Sequence, residues 1–497
     1  MRRTKLTFLF LAAFLIICSG LLIFRGSSSH KDPLIMYCAM GIKAPVEAIA
    51  AAFEEEHGVL VELQFEGSGT LLGKIEAGAL GDLYLAADQS YIEMAQEKGL
   101  ATEKFHVGQL TGVLGVAKGN PKGVRSLQEL ASREDLRIGI ANPQAAAVGK
   151  FSRKVLQSAN VWEDIRNNVT VLKPTVEALA MDVVVGALDV AIIWDATAQL
   201  HDDIDMVHVP EFDRKQRQIS IGVLNSSNAP TTALRFARYL TARDRGLTTF
   251  QERGFEVGTG DAWAWQPKLV MFSGAMLRPA IHERMMNFAK REGVEISPTY
   301  NGCGILVSQM RAGAQPDAYF SCDLSFMEAV QDRFGQSKVV SANDILMLVH
   351  RDKEGLLTNV DQLGNPGVRI GLAHETDSAL GKLTADLLKQ MNLYQRIHES
   401  NNVQLQSPTG DMLVNQLRAG ALDAVIVYRS NALASPETLK DGVLVEIPHP
   451  TARAEQPFAI AKDTRYAQLA ERLYATLTGN ASQQTFSEKG FDWQLSR

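Results

Sequence analysis

One stretch of this chain occurs twice, so the fold must be one that can be built twice in tandem. Phe65-Glu66-Gly67-Ser68-Gly69-Thr70-Leu71 returns as Tyr300-Asn301-Gly302-Cys303-Gly304-Ile305-Leu306. The next two segments return as well. Lys74-Ile75-Glu76-Ala77-Gly78 becomes Gln309-Met310-Arg311-Ala312-Gly313, and Asp82-Leu83-Tyr84-Leu85-Ala86-Ala87-Asp88 becomes Asp317-Ala318-Tyr319-Phe320-Ser321-Cys322-Asp323. Two copies of so long a period mean duplicated domains rather than a solenoid.

Each copy reads as alternating strand and helix. Val61, Leu63 and Phe65 alternate with Glu62 and Gln64, as in a half-buried strand, and Leu71 to Ala77 has a helical pattern. Leu34 to Cys38 is a first strand, and Pro45 suits the first turn of a helix with Val46, Ile49, Ala50 and Phe53 on one face. Arg137 to Ala141 and Asp189 to Trp194 read as buried strands, with a helix beginning near Gly149 between them, and Thr249 to Phe255 closes the half. In the second copy the matching segments are Leu269–Ser273, Arg369–Ala373, Asp423–Tyr428 and Thr485–Phe491. The pattern predicts an α/β fold with parallel strands. Gly258 to Pro267 reads as a linker between domains at 32–257 and 268–497.

The N-terminus stands apart from both domains. Met1 to Lys5 is basic, and Leu6 to Phe24 carries no charge, a span of about 29 Å as a helix. The basic flank places everything after Arg25 outside the cytoplasm. Residues 1–31 are expected to be a signal anchor with a spacer; cleavage near Cys18-Ser19-Gly20 and a lipoprotein site at Cys18 are the alternatives. All three export the body of the protein. A net charge of −6 without a basic cluster argues against nucleic acid as a partner. Four cysteines (18, 38, 303 and 322) are too few for a disulfide framework in 497 residues.

A glycine–hydroxyl–glycine turn leading into a helix, Gly67-Ser68-Gly69 with Thr70 beside it, aims backbone N–H groups outward and suits an anion. A plain tight turn would account for one copy, and the second copy favours a binding loop. Enzyme motifs fail on spacing. A dinucleotide fingerprint needs glycine where Leu72 stands, and a P-loop needs glycine at Ser68 and a hydroxyl at Ile75. His282-Glu283-Arg284-Met285-Met286 lacks the second histidine of a zinc-protease helix. Trp194 and Tyr428 each put a polar handle at the carboxyl end of a buried strand, where open α/β sheets bind ligands.

These segments resemble the periplasmic molybdate-binding proteins of bacterial ABC importers, within the type II solute-binding proteins, over both halves. The resemblance implies two tandem bilobal domains, no catalysis, no cofactor, and an oxyanion held between lobes by neutral donors. Carried over, the side-chain contacts of the first half fall on Gly41, Ser68 and Trp194, with Gly69 and Thr70 adding nearby donors and the far lobe's N–H contacts near Val148 and Val176. In the second half they fall on Met276, Cys303, Leu380, Gly410 and Tyr428. A thiol donates less well than a hydroxyl, so Cys303 weakens the second site, and Glu375 and Asp377 would repel an anion unless turned away. The implied partners are a small oxyanion such as molybdate or tungstate and an ABC permease, with membrane attachment through residues 6–24. Three other readings stay open. Cys303, Cys322 and His374 would hold a soft metal ion, the two cysteines would form a disulfide, or the clefts are degenerate in a tethered sensor or scaffold.

Overall fold

The computed structural model describes residues 32–495. These form two compact units, the first running to Gly258 and the second from Thr259, with the short segment Thr241–Asp244 grouped with the second. The apolar run 6–24 lies outside the described residues; among those described, no helix is long and apolar enough to cross a membrane.

The first unit has two lobes. One is a six-stranded sheet of β1 (Leu34–Ala39), β2 (Val61–Glu66), β3 (Leu83–Ala86), β4 (Ala101–Leu110), β10 (Arg217–Leu224) and β11 (Glu256–Val257), in the order β11-β4-β10-β3-β1-β2. The other holds β5 (Gly112–Ala117), β6 (Ile138–Ala141), β7 (Val169–Lys173), β8 (Val190–Trp194) and β9 (Ile204–Val207), in the order β7-β6-β8-β5-β9. β1 runs parallel to β2 and β3, and β6 runs parallel to β7 and β8. Strands covered on both faces need near-continuous apolar sequence, and β8 is buried along its whole length. The chain crosses between lobes at Thr111, the one residue separating β4 from β5, and returns between β9 and β10.

The helix Lys43–His57 buries Val46, Ile49, Ala50 and Phe53, the face expected. It stops at Gly58, whose φ of 64° lets its N–H reach back to the Glu54 carbonyl at 2.7 Å. Strand ends fall within a residue of the expected ones. One helix does not: it starts at Ser68 and not at Leu71, so the glycine–hydroxyl–glycine segment is the helix's first turn and Gly67 is its cap. The helix expected near Gly149 likewise begins earlier, at Ala147. The repeated aspartate has a structural task. Asp82 accepts the Ile35 N–H and Asp317 accepts the Val270 N–H, each at 2.8 Å, tying the third strand of its domain to the first.

The second unit repeats the plan with β12 (Lys268–Gly274), β13 (Glu295–Asn301), β14 (Ala318–Phe320), β15 (Lys338–His350), β16 (Ile370–Ala373), β17 (Val403–Ser407), β18 (Ala424–Tyr428), β19 (Gly442–Glu446), β20 (Arg453–Ile460) and β21 (Asp492–Trp493). Its crossing differs. β15 runs unbroken through both lobes, pairing with β20 from Lys338 to Asp344 and with β18 from Ile345 to Val349. All its strands therefore join one ten-stranded sheet. Asp344, where β15 changes partners, is clamped by Arg453 at 2.9 Å and Arg429 at 3.3 Å. The residues read as a linker are bonded into this unit: the Asp261 carboxylate accepts the Gln468 and Leu469 N–H groups at 2.9 and 3.0 Å, at the start of the helix Ala467–Thr478.

Candidate functional site

In the first domain, three helix N-termini meet between the lobes. They belong to the helices Ser68–Glu76, Ala147–Ser158 and Val176–Val184. With the turn Met40–Ile42 and the end of β8 they enclose a hollow of about 20 Å³ whose lining includes Gly41, Ser68, Val148, Val176 and Trp194. No residue in that lining is charged. The positive ends of helix dipoles thus face the hollow without any ammonium or guanidinium group.

The fit around Gly41 is close. A Cβ there would stand 2.8 Å from Val176 Cγ1 and 3.4 Å from Trp194 Cδ1. A small residue on the near lobe therefore makes room for a large ring on the far one. Trp194 is buried against Phe151, with ring centroids 5.1 Å apart. Ser68 is buried; its Oγ accepts the Ala87 N–H at 3.2 Å, which leaves the hydroxyl proton for a further partner. The Tyr84 hydroxyl donates to the Ser68 carbonyl at 2.6 Å and fixes the start of the helix. Thr197, fully buried next to Gly41, has an unpartnered Oγ1.

Gly69 and Thr70 do not line this hollow. Their N–H groups go to the Ala145 carbonyl of the opposite lobe, at 2.9 and 3.2 Å. A Cβ at Gly67 would overlap the Ala145 carbonyl oxygen, and one at Gly69 would overlap that of Gln144. In the second domain, a Cβ at Gly302 or Gly304 would overlap the carbonyl of Asp377 or Thr376, and Ile305 N donates to Asp377 O at 3.3 Å. The glycines of the repeated motif thus let two backbones meet across the seam between lobes. A second seam contact is also duplicated. Lys150 Nζ donates to Ser90 Oγ at 2.9 Å and lies over the Tyr91 ring, and Lys382 Nζ donates to Ser325 Oγ at 3.2 Å and lies over Phe326. Gly149-Lys150 and Gly381-Lys382 recur in register and were the available sequence signal for it.

The second cleft is filled differently. Met276, Cys303, Leu380 and Tyr428 are all buried. The Asn431 side chain covers Gly410, where a Cβ would meet Asn431 Cγ at 2.7 Å, and Asn431 Nδ2 donates to Asp411 Oδ1 at 2.6 Å. Burial pushes the Asp411 carboxyl up. Glu375 and Asp377 are engaged locally, Glu375 by the Tyr394 hydroxyl at 2.6 Å and Asp377 by His374 at 3.4 Å. That engagement also corrects the metal reading: His374 bonds Thr376 and Asp377, and among the described residues no three His, Cys, Asp or Glu side chains gather as a metal site.

Two lobes joined by crossing strands, a plan built twice, with an uncharged hollow between the lobes of the first copy, are the architecture of a solute-binding protein. The family model of bacterial extracellular solute-binding proteins matches residues 34–256 and again 269–492, and the chain belongs to that family. A binding protein of Haemophilus influenzae whose name specifies no ligand is 27% identical over 233 residues, 46% of this chain and 92% of that protein. Molybdate-binding protein ModA of Escherichia coli is 24% identical over 237 residues, 46% of this chain and 91% of its own length. The periplasmic molybdate-binding protein of Azotobacter vinelandii, of known structure, is 20% identical with a TM-score of 0.41, covering 46% of this chain and 100% of that one. Over about half of its length the chain is thus similar in sequence to ModA-type molybdate-binding proteins.

Proposed function

We propose that the first domain binds a tetrahedral oxyanion of the molybdate and tungstate kind for ABC-type import, by binding alone and without catalysis. The observation that carries this reading is the meeting of three helix N-termini at one hollow whose lining holds no charged side chain. A buried dianion is tolerable only where every oxygen is hydrogen-bonded. Ser68 Oγ, the N–H groups near Val148 and Val176, and the Trp194 indole are the proposed donors, and the Gly41 N–H is a fifth. At about 20 Å³ the hollow holds roughly one water, so a four-oxygen anion requires the lobes to stand further apart than they do here. The names of the relatives support this class of ligand. Residues 6–24 are proposed to tether the chain to the periplasmic face of the inner membrane.

A second reading, a tethered sensor or scaffold, is favoured by the second cleft, where Met276 replaces Gly41 and Asn431 covers Gly410. Thermal melting of the whole chain against molybdate, tungstate, sulfate and phosphate separates the two. A true ligand at a hundred times its dissociation constant adds about 2.7 kcal/mol of stability to the domain that binds it. A shift with molybdate or tungstate that Ser68→Ala diminishes supports import; no shift with any of the four anions sinks the oxyanion reading.

A further inference from the structure

The sulfurs of Cys303 and Cys322 lie 2.6 Å apart, both fully enclosed. That is well inside the roughly 3.5–4 Å at which unbonded heavy atoms settle. The surroundings are shaped for the pair. Cys322 N donates to Cys303 Sγ at 3.1 Å, just as Ala87 N donates to Ser68 Oγ at 3.2 Å in the first domain. Beside them on β12 stands Gly274, where a Cβ would overlap Cys322 Sγ and come within 3.3 Å of Cys303 Sγ. The first domain has Ala39 at that register, and Ala39 and Ala87 line the same hollow. The second copy therefore lacks a methyl group at the end of β12 where it has gained a sulfur just beyond β14.

We propose that Cys303 and Cys322 are a dithiol–disulfide centre, oxidised by exchange with a protein or small-molecule disulfide outside the cytoplasm. The Cys303 thiolate attacks one sulfur of the oxidant disulfide, forming a mixed disulfide and releasing one thiolate. Cys322, its proton passing to water, then attacks the Cys303 sulfur and expels the second thiolate. Two protein thiols lose two protons and two electrons, and the oxidant disulfide becomes two thiols. Geometry makes Cys303 the nucleophile, since it opens the helix Cys303–Arg311 and receives the Cys322 N–H. Burial pushes its thiol up, and the hydrogen bonds from Cys322, Tyr319 and Ser321 together bring it below the ordinary range. Membership of an extracellular family supplies the oxidising compartment.

Access and consequence both follow from the seam. Thr376 and Asp377 of the far lobe lie against Gly302 and Gly304, so the oxidant reaches the sulfurs when the lobes part or while the chain folds. Once oxidised, the centre has no S–H to donate at the position where the first domain holds the Ser68 hydroxyl. The second cleft is then closed to the anion chemistry of the first by a covalent bond. This inference is independent of which solute the first domain takes.

The test is peptide mapping of the full chain, refolded in a mixture of oxidised and reduced glutathione and then alkylated in denaturant without reductant. Arg311 lies between the two cysteines, so trypsin separates them unless they are linked. The expected result is a linked pair of peptides that comes apart on reduction, with Cys38 alkylated. Reduction should also lower the melting of the second domain by roughly 6–12 °C. Cys303→Ser with Cys322→Ala, the residues the first domain carries there, should remove that sensitivity to reductant. Recovery of both cysteines alkylated after refolding in the redox mixture would overturn the proposal. So would a metal ion bound by the two thiolates that protects them from alkylation, with no linked pair of peptides found.

Discussion

Gly69→Ala tests whether the repeated glycines serve closure. The new methyl group would overlap the Gln144 carbonyl oxygen and lie 3.0 Å from its carbon. To restore ordinary contact the lobes must separate by about 1 Å. Separation on that scale breaks the bonds from Gly69 and Thr70 to the Ala145 carbonyl, now 2.9 and 3.2 Å long. At about 1 kcal/mol each, their loss shifts the balance from closed to open by about 2 kcal/mol. That corresponds to roughly a thirtyfold change in the closed-to-open ratio. Leu80 and Val185, exposed on opposite lobes, can be replaced by cysteine and spin-labelled to read the interlobe distance directly. The variant should show a longer mean distance and weaker binding of whichever anion raises the melting temperature of the unmodified chain. The lobes themselves should keep their secondary structure, because Gly69 sits at the seam and outside either sheet. An unchanged distance distribution together with unchanged affinity would refute the reasoning. Gly304→Ala, in the second domain, is the control and should leave first-domain affinity alone.

Lys150→Met removes the bond to Ser90 and the charge over Tyr91. Ligand release from the first domain should quicken roughly two- to fivefold, as measured by stopped-flow, with the melting temperature nearly unchanged. Ser68→Ala takes away a proposed ligand donor and the acceptor of the Ala87 N–H. Calorimetry should find binding weakened at least about tenfold, and denaturant unfolding should show a loss of about 1–3 kcal/mol. Hydrogen bonding to Arg137 holds the Asp189 carboxyl below its ordinary range. Its contribution to stability is therefore complete above the unfolded carboxylate value of about 3.9 and is lost as pH falls through the lower folded value. In Arg137→Gln the acid limb of first-domain melting should begin at higher pH, and an identical limb would count against the pair.

The duplication and the α/β plan were legible because buried parallel strands need continuous apolar runs, and these fall at matching places in both halves. The apolar face of Lys43–His57 was legible from its spacing, and so were the closing segments, whose Phe250–Phe255 and Phe486–Phe491 pairs touch at 5.3 and 5.2 Å. The glycine motif was found for a partly different reason from the one the structure gives. Sequence indicates that N–H groups face outward at Gly69 and Thr70, yet it cannot say that Ala145, distant in the chain, brings a carbonyl to meet them. The carried-over positions Gly41, Ser68, Val148, Val176 and Trp194 do converge. Gly41 and Trp194, far apart in the chain, prove to be neighbours, since a Cβ at Gly41 would lie 3.4 Å from the Trp194 ring. Lys150 and Lys382 repeat visibly, but a lone lysine in register carries no hint of the ring it will cover.

The unbroken strand of the second domain has a mechanical meaning. Where the first domain bends at Thr111, a single residue between two strands, the second must flex a continuous thirteen-residue ribbon pinned by two arginines at Asp344. Duplication has thus left two kinds of crossing in a single plan, one interrupted and one continuous.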